Sequence, residues 1–241
     1  MRIFILLFLS ISFNSLGLNH FEKGLELYQK KHYTESEKAF LKDWDSTQNS
    51  SSLYNIALCK LKQEQDLKAL YFFEKTLKYQ PNNPEAIFNA SQIYSKLNEG
   101  DYWQHPYTWM GRFIYKKSTN FWTYLTLFFG LTLSLSIFLL FTQKKSWLRK
   151  VSQLSTVFSA LLLILSFFIT NSSAKHFSNK EYLFVGDTQI KTFISPGKNP
   201  TEVNLQKNAR YVVRKNSNNH LQIILSKGEK IWVSEEDVLA Y

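Results

Sequence analysis

The sequence predicts a multidomain membrane protein: an all-α helical solenoid, two transmembrane helices and a small all-β barrel, in that order. Three observations carry the prediction. Small residues recur at a fixed interval in the first hundred positions, at Gly24, Ala57 and Ser91, which are 33 and 34 apart. Two runs, 121–141 and 151–169, contain no charged residue. From residue 182 the pattern changes to short stretches rich in β-branched and aromatic residues, separated by turn-forming clusters.

The chain opens with one basic residue, Arg2, an apolar core, and then small and polar residues. That layout predicts a secretory signal peptide over 1–18, cleaved near Ser15 to Gly17. The apolar core is short for a span of about 20 residues, although an uncleaved anchor remains open. No cysteine follows it, which excludes an N-terminal lipoprotein anchor. The single cysteine, Cys59, excludes an intrachain disulfide and falls within a helical pattern.

Residues 19–100 are predicted to form helical repeats. After Gly24 and Ala57, a second small residue lies 12 positions on, at Ser36 and Ala69, and an aromatic follows four later, at Phe40 and Phe73. Pro81 closes the second unit, and PNNPEA reads as a turn into a new helix. The pattern resembles the tetratricopeptide repeat (TPR). Small residues let paired helices cross closely there, and aromatics fill the gaps between units. The first unit departs from the family at Ser36 and Asp43, where alanines are usual, and its DSTQNSSS loop lacks a closing proline. The third keeps Ile87, Ser91 and Tyr94 without a recognisable second helix, a role that 101–118 is expected to fill.

In the register of the resemblance, Tyr54, Asn55, Leu58, Lys62, Phe88, Asn89, Gln92 and Lys96 lie on the groove side. Asn55 matches Asn89 and Lys62 matches Lys96, a pairing suited to a peptide backbone or carboxylate. The same residue types also suit an ordinary solvated helix face.

Residues 101–120 form an aromatic and basic segment before the first apolar run. Trp103, Tyr107, Trp109, Phe113, Tyr115, Trp122 and Tyr124 are expected at a membrane–water interface. The runs 121–141 and 151–169 are each long enough to cross a bilayer. Between them, residues 142–150 carry Lys144, Lys145, Arg149 and Lys150, a loop expected to stay in the cytoplasm. Both terminal modules then lie outside the bacterial inner membrane, in the periplasm. Arg112, Lys116 and Lys117 pull the other way, three charges against four.

A linker over 170–181 leads to 182–241. There Ser195-Pro196-Gly197, Tyr211 to Val213, Leu221-Gln222-Ile223, Gly228 and Trp232-Val233 resemble the bacterial SH3 (SH3b) domain. His220 and Ile231 depart from its pattern. The resemblance implies a small barrel with Trp232 in its core.

The net charge of +10 is not that of a nucleic-acid binder. Residues 19–100 are neutral, with 11 basic and 11 acidic side chains, and 101–150 carry seven bases against one acid. Charge concentrated beside apolar runs suits lipid head groups rather than a phosphate-binding stripe. The five histidines are scattered, with no pair at metal-ligand spacing. The chain has no G-x-S-x-G, no H-E-x-x-H and no phosphate-cradling loop, so the reading is non-enzymatic, with no cofactor, metal or catalytic residues. Glu235, Glu236 and Asp237 read as a solvated trio near the chain end.

The order of segments resembles the BatE-like family of the bacterial aerotolerance operon. That resemblance implies a scaffold in an envelope complex linked to stress resistance, with von Willebrand A-domain membrane proteins as partners. A peptidoglycan-binding anchor acting through the SH3b-like segment is the alternative.

Overall fold

The computed structural model describes residues 15–186, 190–196, 199–201, 203–225 and 228–241. The predicted leader therefore falls mostly outside the described residues, as does Gly197 of the expected Ser-Pro-Gly turn. The chain divides into two compact units. One comprises residues up to Pro106 together with Lys180–Tyr241, and the other is Tyr107–Asn179. The helical and β segments, expected as separate modules, are thus halves of one unit.

In that unit five helices pack in consecutive pairs: α1 (Ser15–Gln29), α2 (Tyr33–Thr47), α3 (Ser50–Lys62), α4 (Asp66–Tyr79) and α5 (Pro84–Leu97). This is repeat-like packing, and its small residues do the expected work. A methyl group at Gly24 would meet the Phe40 ring at 2.6 Å, so α1 can approach α2 only because Gly24 has no side chain. Ser36 and Asp43, the two departures from alanine, are both buried and both bonded. Ser36 Oγ donates to the Gly24 carbonyl at 2.7 Å, and Ser52 Oγ on α3 donates to Asp43 at 2.5 Å. Each polar group satisfies its bonding across a helix–helix contact, which makes its burial tolerable.

The DSTQNSSS stretch is not the loop it resembles. Helix α2 runs through Thr47 and α3 begins at Ser50, leaving Gln48 and Asn49 between them. Gln48 takes a left-handed conformation (φ 54°), and the Asn49 side chain caps α3 by accepting from Ser51 N–H. Asn83 caps α5 in the same way, with Pro84 in its first turn, as PNNPEA predicts. Among the described residues, no later helix pairs with α5 in the manner of the other units. Residues 101–106 are non-helical, and the only helix in 101–118 is α6 (Trp109–Tyr115), which belongs to the second unit.

Among the described residues, seven short antiparallel strands follow in the first unit: β1 (Tyr182–Phe184), β2 (Thr192–Phe193), β3 (Pro200–Thr201), β4 (Arg210–Ser217), β5 (His220–Ile224), β6 (Lys230–Ser234) and β7 (Leu239–Ala240). Their order is β3-β2-β6-β5-β4-β1-β7. The β4–β5 hairpin turns at Asn218 and Asn219, both at positive φ (50° and 59°), a two-residue turn for which asparagine is well suited. Alternation buries Leu221 and Ile223 on β5 and brings Ile231 and Val233 from β6 beside them. Leu183, Val185 and Leu205 close this core; Trp232, expected within it, is buried but lies outside this cluster, on the other face of β6 from Ile231 and Val233.

Helix and sheet meet at Glu74 of α4, which is fully buried. Trp103 Nε1 donates to its carboxylate at 2.6 Å, Arg210 Nη1 of β4 at 2.8 Å, and the Tyr241 hydroxyl closes a third bond. Burial works against the Arg210 charge, but the Glu74 carboxylate together with Tyr241 and Tyr182 outweighs it and holds the guanidinium above its usual range. Nearby, the Tyr71 hydroxyl donates to the Ala240 carbonyl at 3.1 Å, and Asn208 Nδ2 reaches the Leu97 carbonyl at 3.4 Å. Trp103 therefore belongs to an interior and not to the interfacial belt predicted for it.

In the second unit, α6 is followed by α7 (Thr119–Thr142) and α8 (Ser146–Ser178). Both long helices are apolar enough to cross a membrane. Only 6% and 11% of their most apolar windows are buried, so neither is enclosed as a soluble core helix would be. The connection between them is shorter than 142–150, because α8 starts at Ser146 and takes Arg149 and Lys150 into its first turns. It also runs through most of the predicted 170–181 linker. There Ser173 and His176 are buried, and the His176 ring stacks on Tyr115 at 3.6 Å with Tyr107 edge-on at 5.0 Å.

Helices α7 and α8 pack through a serine stripe. Ser152, Ser159, Ser166 and Ser173 fall every seventh residue on α8, and all four are buried. Ser136 bonds Ser155 at 2.8 Å, Thr126 bonds Thr170 at 3.0 Å, and Thr119 bonds Ser173 at 3.0 Å. Small residues at a seven-residue interval keep one narrow face turned to the partner helix, which is how apolar helices associate closely in lipid. Of the predicted belt, Tyr107 and Trp122 are buried, whereas Trp109, Phe113 and Tyr124 are exposed.

Candidate protein-binding surface

Helices α3 and α5 carry all eight residues of the predicted groove. On α3, Asn55, Leu58 and Lys62 recur at intervals of three and four, which puts them on one face. On α5, Asn89, Gln92 and Lys96 do the same, with Phe88 beside them. The structure joins the two faces at one point, where Asn89 Nδ2 approaches the Tyr54 hydroxyl at 3.5 Å. Tyr54 is fixed from behind by Phe73, edge to face at 5.5 Å, and burial and the nearby Glu85 carboxylate push its phenol pKa up.

Phe88 stands out because its side chain is 62% exposed although α5 buries Ala86, Ala90 and Ile93 on its other side. Gln92 and Lys96 are exposed, while Tyr54, Asn55, Leu58 and Asn89 are half-buried. The surface thus presents one bare aromatic ring among amides and ammonium groups.

The matched pairs are partly committed already. Asn55 Nδ2 donates to the Ser51 carbonyl and Asn89 Nδ2 to the Glu85 carbonyl, both at 2.9 Å and both one turn back on the same helix. Lys96 pairs with Asp66 on α4 at 2.5 Å. An incoming carboxylate would have to compete with Asp66 for that ammonium, whereas Lys62 is exposed.

The acidic trio proves more structured than a solvated end. Glu235–Asp237 form a 3-10 turn; Glu235 pairs with Lys180, and Glu236 and Asp237 edge a cleft against the start of α4. Their role had no signal in sequence spacing, because the other side of the cleft is about 170 residues away along the chain. Among the described residues, no three His, Cys, Asp or Glu side chains gather as metal ligands. No protein-family model, curated protein or solved structure matches this chain.

Proposed function

We propose that this protein is a non-enzymatic membrane scaffold. In this reading α1–α5 act as a TPR-type protein-binding module, the strands act as an SH3b-type module, and α7–α8 anchor both to the bacterial inner membrane. The exposed Phe88 ring beside the Tyr54–Asn89 contact carries the reading. A ring left bare on a stacked-helix face is apolar area that a partner can bury.

The membrane part rests on two helices with long uncharged runs that leave their apolar sides uncovered. The basic turn, with Lys144 and Lys145 and then Arg149 and Lys150, favours the cytoplasmic side. Both flanks of the hairpin are then periplasmic. The partners fitting this arrangement are other envelope membrane proteins, and the BatE-like resemblance narrows them to von Willebrand A-domain proteins in aerotolerance.

The test is affinity recovery of the tagged full-length chain from detergent-solubilised native membranes, beside a Phe88→Ala variant. Phe88→Ala removes an exposed ring and leaves the core intact. Near-stoichiometric recovery of a von Willebrand A-domain protein, lost or strongly reduced in the variant, is the expected result. Equal recovery by both chains would remove the helical face from the proposal. Retention of muropeptides without any protein would replace the scaffold with a wall anchor.

A further inference from the structure

A second surface lies within the first unit, where the helices face the end of the sheet. A cleft of about 530 Å³ opens there between the start of α4, the last residue of α5 and the turn leading into β7. Its floor is aliphatic, made by Leu67, Leu97, Val238 and Leu239. Gly186 borders it, and a methyl group there would meet Leu67 Cδ2 at 3.3 Å. The absent side chain therefore keeps this end of the cleft open.

The rim has the opposite character. Glu64, Asp66, Glu236 and Asp237 surround the floor, and Lys68 is the one base among the lining residues. Asp66 is engaged by Lys96, whereas Glu64, Glu236 and Asp237 are exposed. The partial negative charge of the α5 C-terminus at Leu97 and the partial positive charge of the α4 N-terminus at Asp66 offset one another, so the carboxylates set the sign. On a chain of net charge +10, this is a local inversion of sign. An anion would be repelled, and a wholly apolar ligand would strip water from carboxylates without pairing them.

An aliphatic floor under an anionic rim matches the two parts of a lysine or arginine side chain. The stem lies on leucine and valine while the head reaches the carboxylates. Strand pairing does not contribute, because the Tyr71 hydroxyl on α4 already holds the Ala240 carbonyl of β7 at 3.1 Å, so recognition here falls to the ligand's side chains. We propose that this cleft docks a basic segment of a partner polypeptide, with a lysine or arginine stem over Leu67, Leu97 and Leu239 and its cation between Glu64 and the Glu236–Asp237 pair. The site is distinct from the Phe88 face, and the two share only the Lys96–Asp66 ion pair.

The test uses the full-length chain in neutral-lipid nanodiscs and a short labelled peptide alternating lysine with alanine. Its counterpart, alternating glutamate with alanine, and empty nanodiscs serve as controls. Saturable binding of the basic peptide is expected, with no binding of the acidic one. Neutralising two exposed carboxylates, Glu236→Gln with Asp237→Asn, should weaken binding about tenfold or more, as should high salt. Because both side chains are exposed, the fold should survive, and an unchanged circular dichroism spectrum verifies that. Unaltered affinity in this variant, or no saturable binding by the native chain, overturns the proposal. So does equal competition by spermine, which would make the cleft a small-cation site. Partner recovery with Phe88→Ala reads the other surface, so either proposal can fail without the other.

Discussion

Glu74 lies in the middle of α4 with its carboxylate sealed from solvent, and donors from three distant parts of the chain converge on it: Trp103, Arg210 and Tyr241. None of those partners could be assigned from the sequence, where Glu74 reads as one more charged residue on a helix and Trp103 as an interfacial aromatic. Removing the charge by Glu74→Gln leaves the Arg210 guanidinium buried without its counter-ion, which should cost about 3–5 kcal/mol. Thermal unfolding followed by near-ultraviolet circular dichroism should show it, and the paired change Glu74→Met with Arg210→Met should recover most of the loss. A single variant as stable as the native chain would mean the node contributes nothing net. Tyr71, beside this node, gives a pH dependence. Burial first, and Tyr79 second, push its phenol from the usual value near 10 to about 12. The folded chain keeps this proton while the unfolded chain loses it, so the unfolded state binds fewer protons between those values. The contribution is complete below pH 10 and is lost as pH rises toward 12. At about 1.4 kcal/mol per pKa unit, the loss amounts to about 2–3 kcal/mol. Tyr71→Phe should flatten the fall in stability across that window relative to the native chain, and parallel pH profiles would sink the assignment.

At the scale of elements, local chemistry left clear marks and long-range packing left few. The helix starts at Ser50 and Pro84 follow from asparagine caps, and the β4–β5 turn follows from an Asn-Asn pair in a run of turn formers. The two apolar helices were legible from length and absence of charge alone. Their ends were not: α8 runs on to Ser178 because Ser173 and His176 find buried partners, and polarity read along the chain suggests a linker there. The placement of the eight groove residues on α3 and α5 was legible from period, but the competing Lys96–Asp66 pair was not. The serine heptad was present in the sequence all along, hidden because serine on an apolar helix reads as neutral filler. It makes a definite prediction. Ser166→Leu places a branched side chain where the surface is 2% exposed and α7 approaches closely. Overpacking of this kind costs about 1–3 kcal/mol. Loosening of the α7–α8 hairpin should appear as a changed mobility in dodecyl sulfate gels and faster proteolysis in micelles. Leu165→Ser, on the exposed side of α8, should leave the helix pairing as it is. Identical behaviour of both variants would remove the stripe as the packing face.

At the scale of the whole chain, one topological constraint follows from the way the first unit is assembled. It is built from residues before Pro106 and after Lys180, and the two apolar helices lie between those segments. A single crossing by one helix would put the halves of Glu74's bonding shell on opposite sides of a bilayer, leaving a buried carboxylate and a buried guanidinium each without its partner. If both helices cross, as proposed, the chain returns to the side it left and the two halves of the first unit stay together. On the proposed reading, the basic residues in and beside the turn favour the cytoplasmic side for it. Burying Lys144 and Lys145 in transit across a membrane is resisted, and short loops with such residues stay in the cytoplasm. The expected outcome is therefore specific. Protease added to intact spheroplasts should release fragments from both 19–106 and 180–241, while an epitope inserted between Gln143 and Lys144 should be cut only after lysis. Protection of both flanks, with the epitope exposed, would reverse the orientation and leave the hairpin intact. Protection of one flank alone would contradict the single compact unit itself, and with it the bonding of Glu74 to Arg210 and Tyr241.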